Sequence, residues 1–227
     1  MAWYVKASER KRRVMMARQN FKAGTLEAPL PAVMVSVGDM EESNILTIAW
    51  TGILSSDPPR TYISVRPSRH SHKILSEKRE FVINLTNEAL AWATDYVGIY
   101  TGAKVDKFKK CNLTKIKSQA VGTPTIAEAP IALECKVFDI IKSGTHDIFM
   151  ADIVNVSCDD GIVDGKGRIC FDKANLIAYS HGEYYALGKK VGRFGFSTDK
   201  KRKPVSKKAA NSKKAKPVRS HKKEGRS

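Results

Sequence analysis

The sequence predicts a mainly β domain: an antiparallel, Greek-key-like barrel, closed or partly closed, carrying a few short helices. Three observations predict it. Short runs rich in Val, Ile, Thr and aromatic residues recur between Pro, Gly, Asn and Asp turn clusters, the composition of strands joined by tight turns. Two long β-type runs, Ile131 to Ile141 and Asp147 to Val156, flank the turn residues Lys142-Ser143-Gly144-Thr145 and read as one hairpin. The alternation of strand and helix that a parallel sheet requires is missing.

The elements follow in order. Pro31 precedes Ala32-Val33-Met34-Val35-Ser36-Val37, a buried strand that ends in the turn Gly38-Asp39. Ile45 to Gly52 is again β-rich. Thr61 to Arg66 alternates as a half-buried strand does, and Asp57-Pro58-Pro59 forbids a helix between the two runs. Ser68 to Lys78 follows Pro67 and carries Ile74 and Leu75, a short helix with an apolar anchor. Phe81 to Leu85 is a strand. Thr86 or Asn87 then caps a helix bearing Leu90, Ala91, Ala93 and Thr94, with Trp92 and Tyr96 as aromatic surfaces. Lys104 to Lys110 forms a further turn. Asp159-Asp160-Gly161 and Asp164 to Gly167 are turn chemistry. Ser180 to Ser197, rich in glycine and aromatics, is expected to wrap the barrel or a neighbouring subunit.

Composition sets the class. A chain of 227 residues with 42% hydrophobic content is long enough for one sizeable core, burying ~70% of the surface its unfolded form exposes. The net charge of +17 is unevenly spread: residues 197–227 hold 13 Lys/Arg against 2 Asp/Glu, residues 1–22 hold 7 against 1, and the segment between is neutral. That distribution argues for a basic N-terminal extension over 1–22, a folded domain over 23–198 and a disordered Lys-rich tail over 199–227. The tail lacks aromatics for base stacking, so any contact with nucleic acid or anionic surfaces is expected to be nonspecific and salt-dependent. No run reaches the ~18 apolar residues of a membrane span, and the expectation is a soluble cytoplasmic protein with no transmembrane segment. Cys111, Cys135, Cys158 and Cys170 form no C-x-x-C pair and read as reduced thiols.

Several signatures fail. Gly161 to Lys166 is one residue short of a P-loop, and Gly188, Gly192 and Gly195 lack dinucleotide-fingerprint spacing. His70 and His72 stand two apart without a third ligand, so no metal site is assigned. The run Arg66-Pro67-Ser68-Arg69-His70-Ser71-His72-Lys73 is different. Two guanidiniums, hydroxyls, a lysine and the amides of a helix start offer the charged, directional donors that a phosphate monoester needs.

Taken together, PLPAVMVSV (Pro29 to Val37), NILTIAWTG (Asn44 to Gly52), SSDPPRTYISVRPSRHS (Ser55 to Ser71), FVINL (Phe81 to Leu85), ATDYVG (Ala93 to Gly98), the Asp106-Lys107-Phe108 triplet, SGTHDIF (Ser143 to Phe149) and the Ser180 to Ser197 segment resemble the FMN-binding split-barrel family, in its flavin reductase-like, flavoredoxin-type branch. The resemblance runs from about Phe21 to Thr198 in one order. It implies a homodimer of antiparallel split barrels with one FMN per subunit. Thr47, Ile48, Ala49, Trp50, Thr51 and Gly52 would lie along the isoalloxazine, largely through their backbone, and Ser55 near the ribityl chain. Arg66, Arg69, His70, Ser71 and Lys73 would surround the phosphate, with Asn44 and Asn84 also counted among the cofactor residues. His146 would sit where a nicotinamide or other electron donor docks, unless it is merely a hairpin histidine bonded to backbone; Trp50 could equally be barrel core.

The implied function is an FMN-dependent oxidoreductase that passes hydride or electrons from NAD(P)H or a protein donor to a flavin or other small acceptor. The alternative is an FMN-binding electron carrier or flavin store without NAD(P)H turnover. Either way the cofactor carries the redox chemistry, which explains a sequence without a catalytic triad.

Overall fold

The computed structural model describes residues 18–198. Most of the basic N-terminal extension, and the whole of the Lys-rich tail, lie outside the described residues. The first compact unit runs to Gly188, and the residues from Lys189 belong to a second unit, whose described part ends in the short 3-10 turn Phe196–Thr198. The first part of the Ser180 to Ser197 segment lies in the first unit, where Glu183–Ala186 pairs with Ile177–Ser180.

The strands are β1 (Leu30–Pro31), β2 (Val33–Gly38), β3 (Ser43–Ile48), β4 (Thr51–Ser56), β5 (Pro59–Val65), β6 (Glu80–Leu85), β7 (Lys115–Ile116), β8 (Thr125–Ile126), β9 (Ile131–Ser143), β10 (His146–Cys158), β11 (Ile177–Ser180) and β12 (Glu183–Ala186). The helices are α1 (His70–Lys78), α2 (Ala91–Ile99) and α3 (Lys107–Lys110). Seven strands form one antiparallel sheet in the order β3-β2-β6-β9-β10-β5-β4. Its two edge strands, β3 and β4, are consecutive in the chain and joined only by Ala49 and Trp50. A sheet whose opposite edges are tied by two residues must curl until they meet. This is the split barrel, and the Ser64 amide, donating to the Trp50 carbonyl at 3.0 Å, holds the junction. The mainly β, antiparallel barrel with a few short helices is therefore the observed fold.

The alternation expected of strands explains how the layers form. Along β2, Val33, Val35 and Val37 point into the barrel against Ile63, Phe81, Ile83 and Phe149. Met34 points the other way, into a second cluster with Ile45, Leu90, Ala93, Val97, Phe108 and Ile126 beneath α2 and α3. A strand covered on both faces reads as a continuous apolar run, and all six residues of β2 are buried.

Local chemistry sets the remaining boundaries. The single β-run expected over Ile45 to Gly52 is two strands, because the chain leaves one sheet edge at Ala49–Trp50 and re-enters at the other. The long hairpin turns through Gly144-Thr145, with Gly144 at φ 61 in the first central position, where a II′ turn needs a residue without a Cβ. Asn87 caps a 3-10 turn ahead of α2 by accepting from the Leu90 amide at 3.1 Å, and Asp106 caps α3 through the Lys109 amide at 3.1 Å. The buried carboxylate of Glu134 on β9 ties down the loop before β8: it accepts from the Gln119 amide at 3.0 Å, the Ala120 amide at 2.6 Å and the Asn155 side chain at 2.9 Å.

Candidate functional site

Where the barrel splits, β3 presents one side of a cavity of about 440 Å³, inside the ~300–1,000 Å³ range of small-molecule sites. The chain from Asn44 to Ile48 spans about 13 Å of strand, and this run carries the floor. The end of β5 and the start of α1 close one side; the end of α2 and the loop to Gly102 close the other. Two close approaches bring that second wall in. The Thr47 hydroxyl donates to the Thr94 carbonyl beside Gly98, where a Cβ would lie 3.1 Å from the Thr47 side chain. A Cβ on Gly102 would fall 2.2 Å from the Asn44 side-chain oxygen, so a larger residue there would displace the Asn44 amide.

One end of the cavity is cationic. Arg66, Ser68, Arg69, His70 and Ser71 line it. Arg69 occupies the N-cap of α1 without a side-chain cap bond, the first turn holds no acidic residue, and among the described residues neither Arg66 nor Arg69 has a carboxylate at ion-pair distance. Positive side chains at the positive end of a helix are unfavourable unless an anion joins them. Asn44 donates to the Ser71 hydroxyl oxygen at 2.7 Å, which leaves that hydroxyl's own proton for another acceptor.

At the opening, the His146 imidazole lies against the Trp50 indole, with ring centres 4.5 Å apart and planes at 45°. Its Nδ1 is 2.9 Å from the Thr145 hydroxyl, so its partner is a side chain rather than backbone. Burial, and then the charges of Arg66 and Arg69, push its pKa below the ordinary value, which keeps the ring neutral at pH 7. Trp50 is 37% exposed, on the cavity rather than in the barrel core.

Ten of the residues singled out in the sequence thus share the cavity: Asn44, Thr47, Ile48, Ala49, Trp50, Arg66, Arg69, His70, Ser71 and His146. Five do not line it. Thr51 donates to the Tyr62 carbonyl at 2.6 Å, and Gly52 backs onto the Tyr62 ring. Ser55 is half-buried toward the far end of β4, bonded to the Asp57 carbonyl at 3.3 Å. Lys73, on the outer side of α1, extends into solvent near Glu77. Asn84 is fully buried in the core, where its amide donates to Met34, Ser36 and Val82 and its oxygen accepts from Ile126. Buried there, it holds β2, β6 and β8 together and does not line the cavity. His72 also serves the scaffold: its Nε2 meets Asp147 at 2.8 Å and fastens α1 to β10.

The structure adds residues that sequence reasoning missed. Lys107 lines the cavity although it is only 4% exposed, its ammonium donating to the carbonyls of Ile45 and Val97. At the other end stand Asp95, Tyr179 and Tyr184; the Tyr184 hydroxyl is 3.4 Å from an Asp95 oxygen, and the two tyrosine rings meet edge to face at 5.6 Å. The Asp106-Lys107-Phe108 triplet was the available signal for Lys107, since an N-cap and a buried Phe bracket it.

Comparison with known proteins agrees with this geometry. The family model described as "Flavin reductase like domain" matches residues 26–188. Among solved structures, the flavoredoxin of Desulfovibrio vulgaris (Miyazaki F) is 30% identical, with a TM-score of 0.74 over 81% of this chain and 100% of its own. An FMN-binding protein from Thermus thermophilus, solved with 1-cyclohex-2-enone bound, is 25% identical, with a TM-score of 0.66 over 78% of this chain and 97% of its own. An uncharacterized protein of Archaeoglobus fulgidus is 32% identical over 141 residues, which make up 62% of this chain and 79% of that protein.

Proposed function

The chain belongs to the flavin reductase like domain family, and on that premise we propose that it binds FMN and acts as an oxidoreductase, passing hydride or electrons from NAD(P)H or a protein donor to a flavin or other small acceptor. The observation that carries this reading is the uncompensated positive end of the cavity: Arg66, Arg69 and the start of α1, set beside a strand-backbone floor.

The residues fit the group. Arg66, Arg69, the Ser71 hydroxyl and the first amides of α1 would hold the phosphate, through charge-assisted bonds at a helix N-terminus. Asn44 fixes the direction in which Ser71 donates. The backbone of Thr47 to Trp50 would run beside the ring system, where main-chain donors and acceptors read a planar heterocycle without long side chains to order. When bound, FMN supplies the hydride and electron chemistry itself. The chain's own contribution is to orient its reactants and to exclude water. The neutral His146, packed on Trp50 at the opening, offers a flat, uncharged surface for a planar donor or acceptor.

A second copy is part of the proposal. Exposed apolar side chains on the sheet, Ile53 on β4, Phe138 and Ile141 on β9, and Val154 and Val156 on β10, support a homodimer.

The second reading, an electron carrier or flavin store, shares the cavity and differs in turnover. Steady-state oxidation of NADH and NADPH by the FMN-loaded protein, with free flavin as acceptor, separates the two. Turnover with either nucleotide is the expected result. A loaded protein that oxidises neither, with several acceptors tried, is a carrier.

A further inference from the structure

Lys107 is the cavity's most deeply buried cation. Its ammonium donates at 2.7 Å to the Ile45 carbonyl of β3 and at 2.7 Å to the Val97 carbonyl of α2, thereby joining floor to wall. An ammonium has three N–H donors. Two are taken by carbonyls, the third has no partner among the described residues, and no carboxylate lies at ion-pair distance. The neutral amine would keep two N–H groups, enough for both carbonyls. The third proton is the one that an anion in the cavity would hold in place.

We propose that Lys107 is the buried counter-charge of this cavity, so that a phosphate monoester binding there takes up one proton at mildly alkaline pH. The proposal rests on the FMN reading above and gives that site a pH dependence. Burial, and then the nearby Arg69, lower the Lys107 pKa to about 8. The groups facing it are few. Arg69 stands at the start of α1, and Cys111 follows α3 with its thiol pushed up by burial. Tyr96 of α2 packs on the same buried cluster as Cys111, and burial pushes its phenol up as well. Asp95 of α2 lines the same cavity, and β3 carries no titratable side chain.

The sign follows from linkage. A group with a pKa of about 8 in the free protein is about one-tenth protonated at pH 9; a bound anion that raises its pKa well above 9 therefore draws in about 0.9 proton. FMN's own phosphate, with a second pKa of about 6, is already fully ionised there and contributes nothing.

The test is calorimetric titration of the full-length protein with FMN at pH 7 and pH 9, each in two buffers of different ionisation heat, on wild type and Lys107→Arg. Arginine keeps the charge but does not titrate. The expected result is uptake near 0.9 proton per FMN at pH 9 in wild type, together with about tenfold weaker binding at pH 9 than at pH 7. In Lys107→Arg both effects vanish. Wild type that binds FMN at both pH values with no proton uptake, or uptake that survives in Lys107→Arg, overturns the inference and leaves the FMN reading standing. Failure of wild type to bind FMN even at pH 7 overturns both. Should Lys107→Arg not fold, the wild-type uptake and affinity profile decide alone.

Discussion

Replacing Arg66 and Arg69 together by alanine lowers FMN affinity by about a hundredfold and leaves the FMN-free protein as stable as wild type. Each guanidinium is expected to supply at least one charge-assisted bond to phosphate, about 1.5 kcal/mol at the low end appropriate to an exposed side chain. Two such losses come to about 3 kcal/mol, or about two factors of ten in affinity. Folding is spared because neither side chain is buried and neither has an ion-pair partner among the described residues. Arg69 also sits at the N-cap of α1, where a positive charge opposes the helix dipole, so its loss favours the empty protein slightly. Quenching of FMN fluorescence on titration measures the affinity, and thermal unfolding of the FMN-free protein measures the stability. An affinity within twofold of wild type would remove the pair from the site.

Glu134→Ala costs stability rather than binding, and the cost is about 3 kcal/mol. The carboxylate is 1% exposed and holds the Gln119 and Ala120 amides and the Asn155 side chain. Removing it strands donors against β9, although Gln119 itself reaches solvent and recovers part of the loss. The same interactions give wild type an acid lability. Burial alone would raise the Glu134 pKa, but hydrogen bonds from Gln119, Ala120, Asn155 and Val121 outweigh it, and the net shift is downward from 4.5. The unfolded chain therefore binds the proton first. The stabilisation is fully present above about pH 4.5 to 5 and is lost as pH falls through the lowered folded value. Urea denaturation at pH 7 and pH 4 should show the gap between wild type and Glu134→Ala narrowing at the lower pH. A constant gap would assign the carboxylate no titratable share of stability.

Much of this fold was legible because period and punctuation agreed. The hairpin of β9 and β10 announced itself by two β-rich runs around Gly144, and β2 by an apolar stretch too short for a helix. Where the barrel closes was not legible: Ile45 to Gly52 reads as one strand, and nothing in its composition says that Ala49 and Trp50 carry the chain from one sheet edge to the other. The cationic end of the site was legible for a chemical reason, the density of phosphate-type donors around Pro67. Asn84 misled because a polar residue in a family-like motif suggests a ligand, whereas its side chain completes hydrogen bonds among three strands. Lys107 was missed because lysine reads as surface; only three-dimensional packing shows two carbonyls converging on its ammonium. Asp95, Tyr179 and Tyr184 come from elements distant in sequence, and no spacing rule joins them.

Occupancy of the cavity at the split of the barrel by FMN is the proposal on which the other binding expectations depend. It is tested most directly by purifying the full-length protein, releasing any bound chromophore by denaturation, and titrating the stripped protein with FMN. The expected result is a yellow protein, FMN as the released flavin, and saturable rebinding at one FMN per chain that weakens in the Arg66→Ala/Arg69→Ala variant. A colourless protein that takes up no FMN would contradict it.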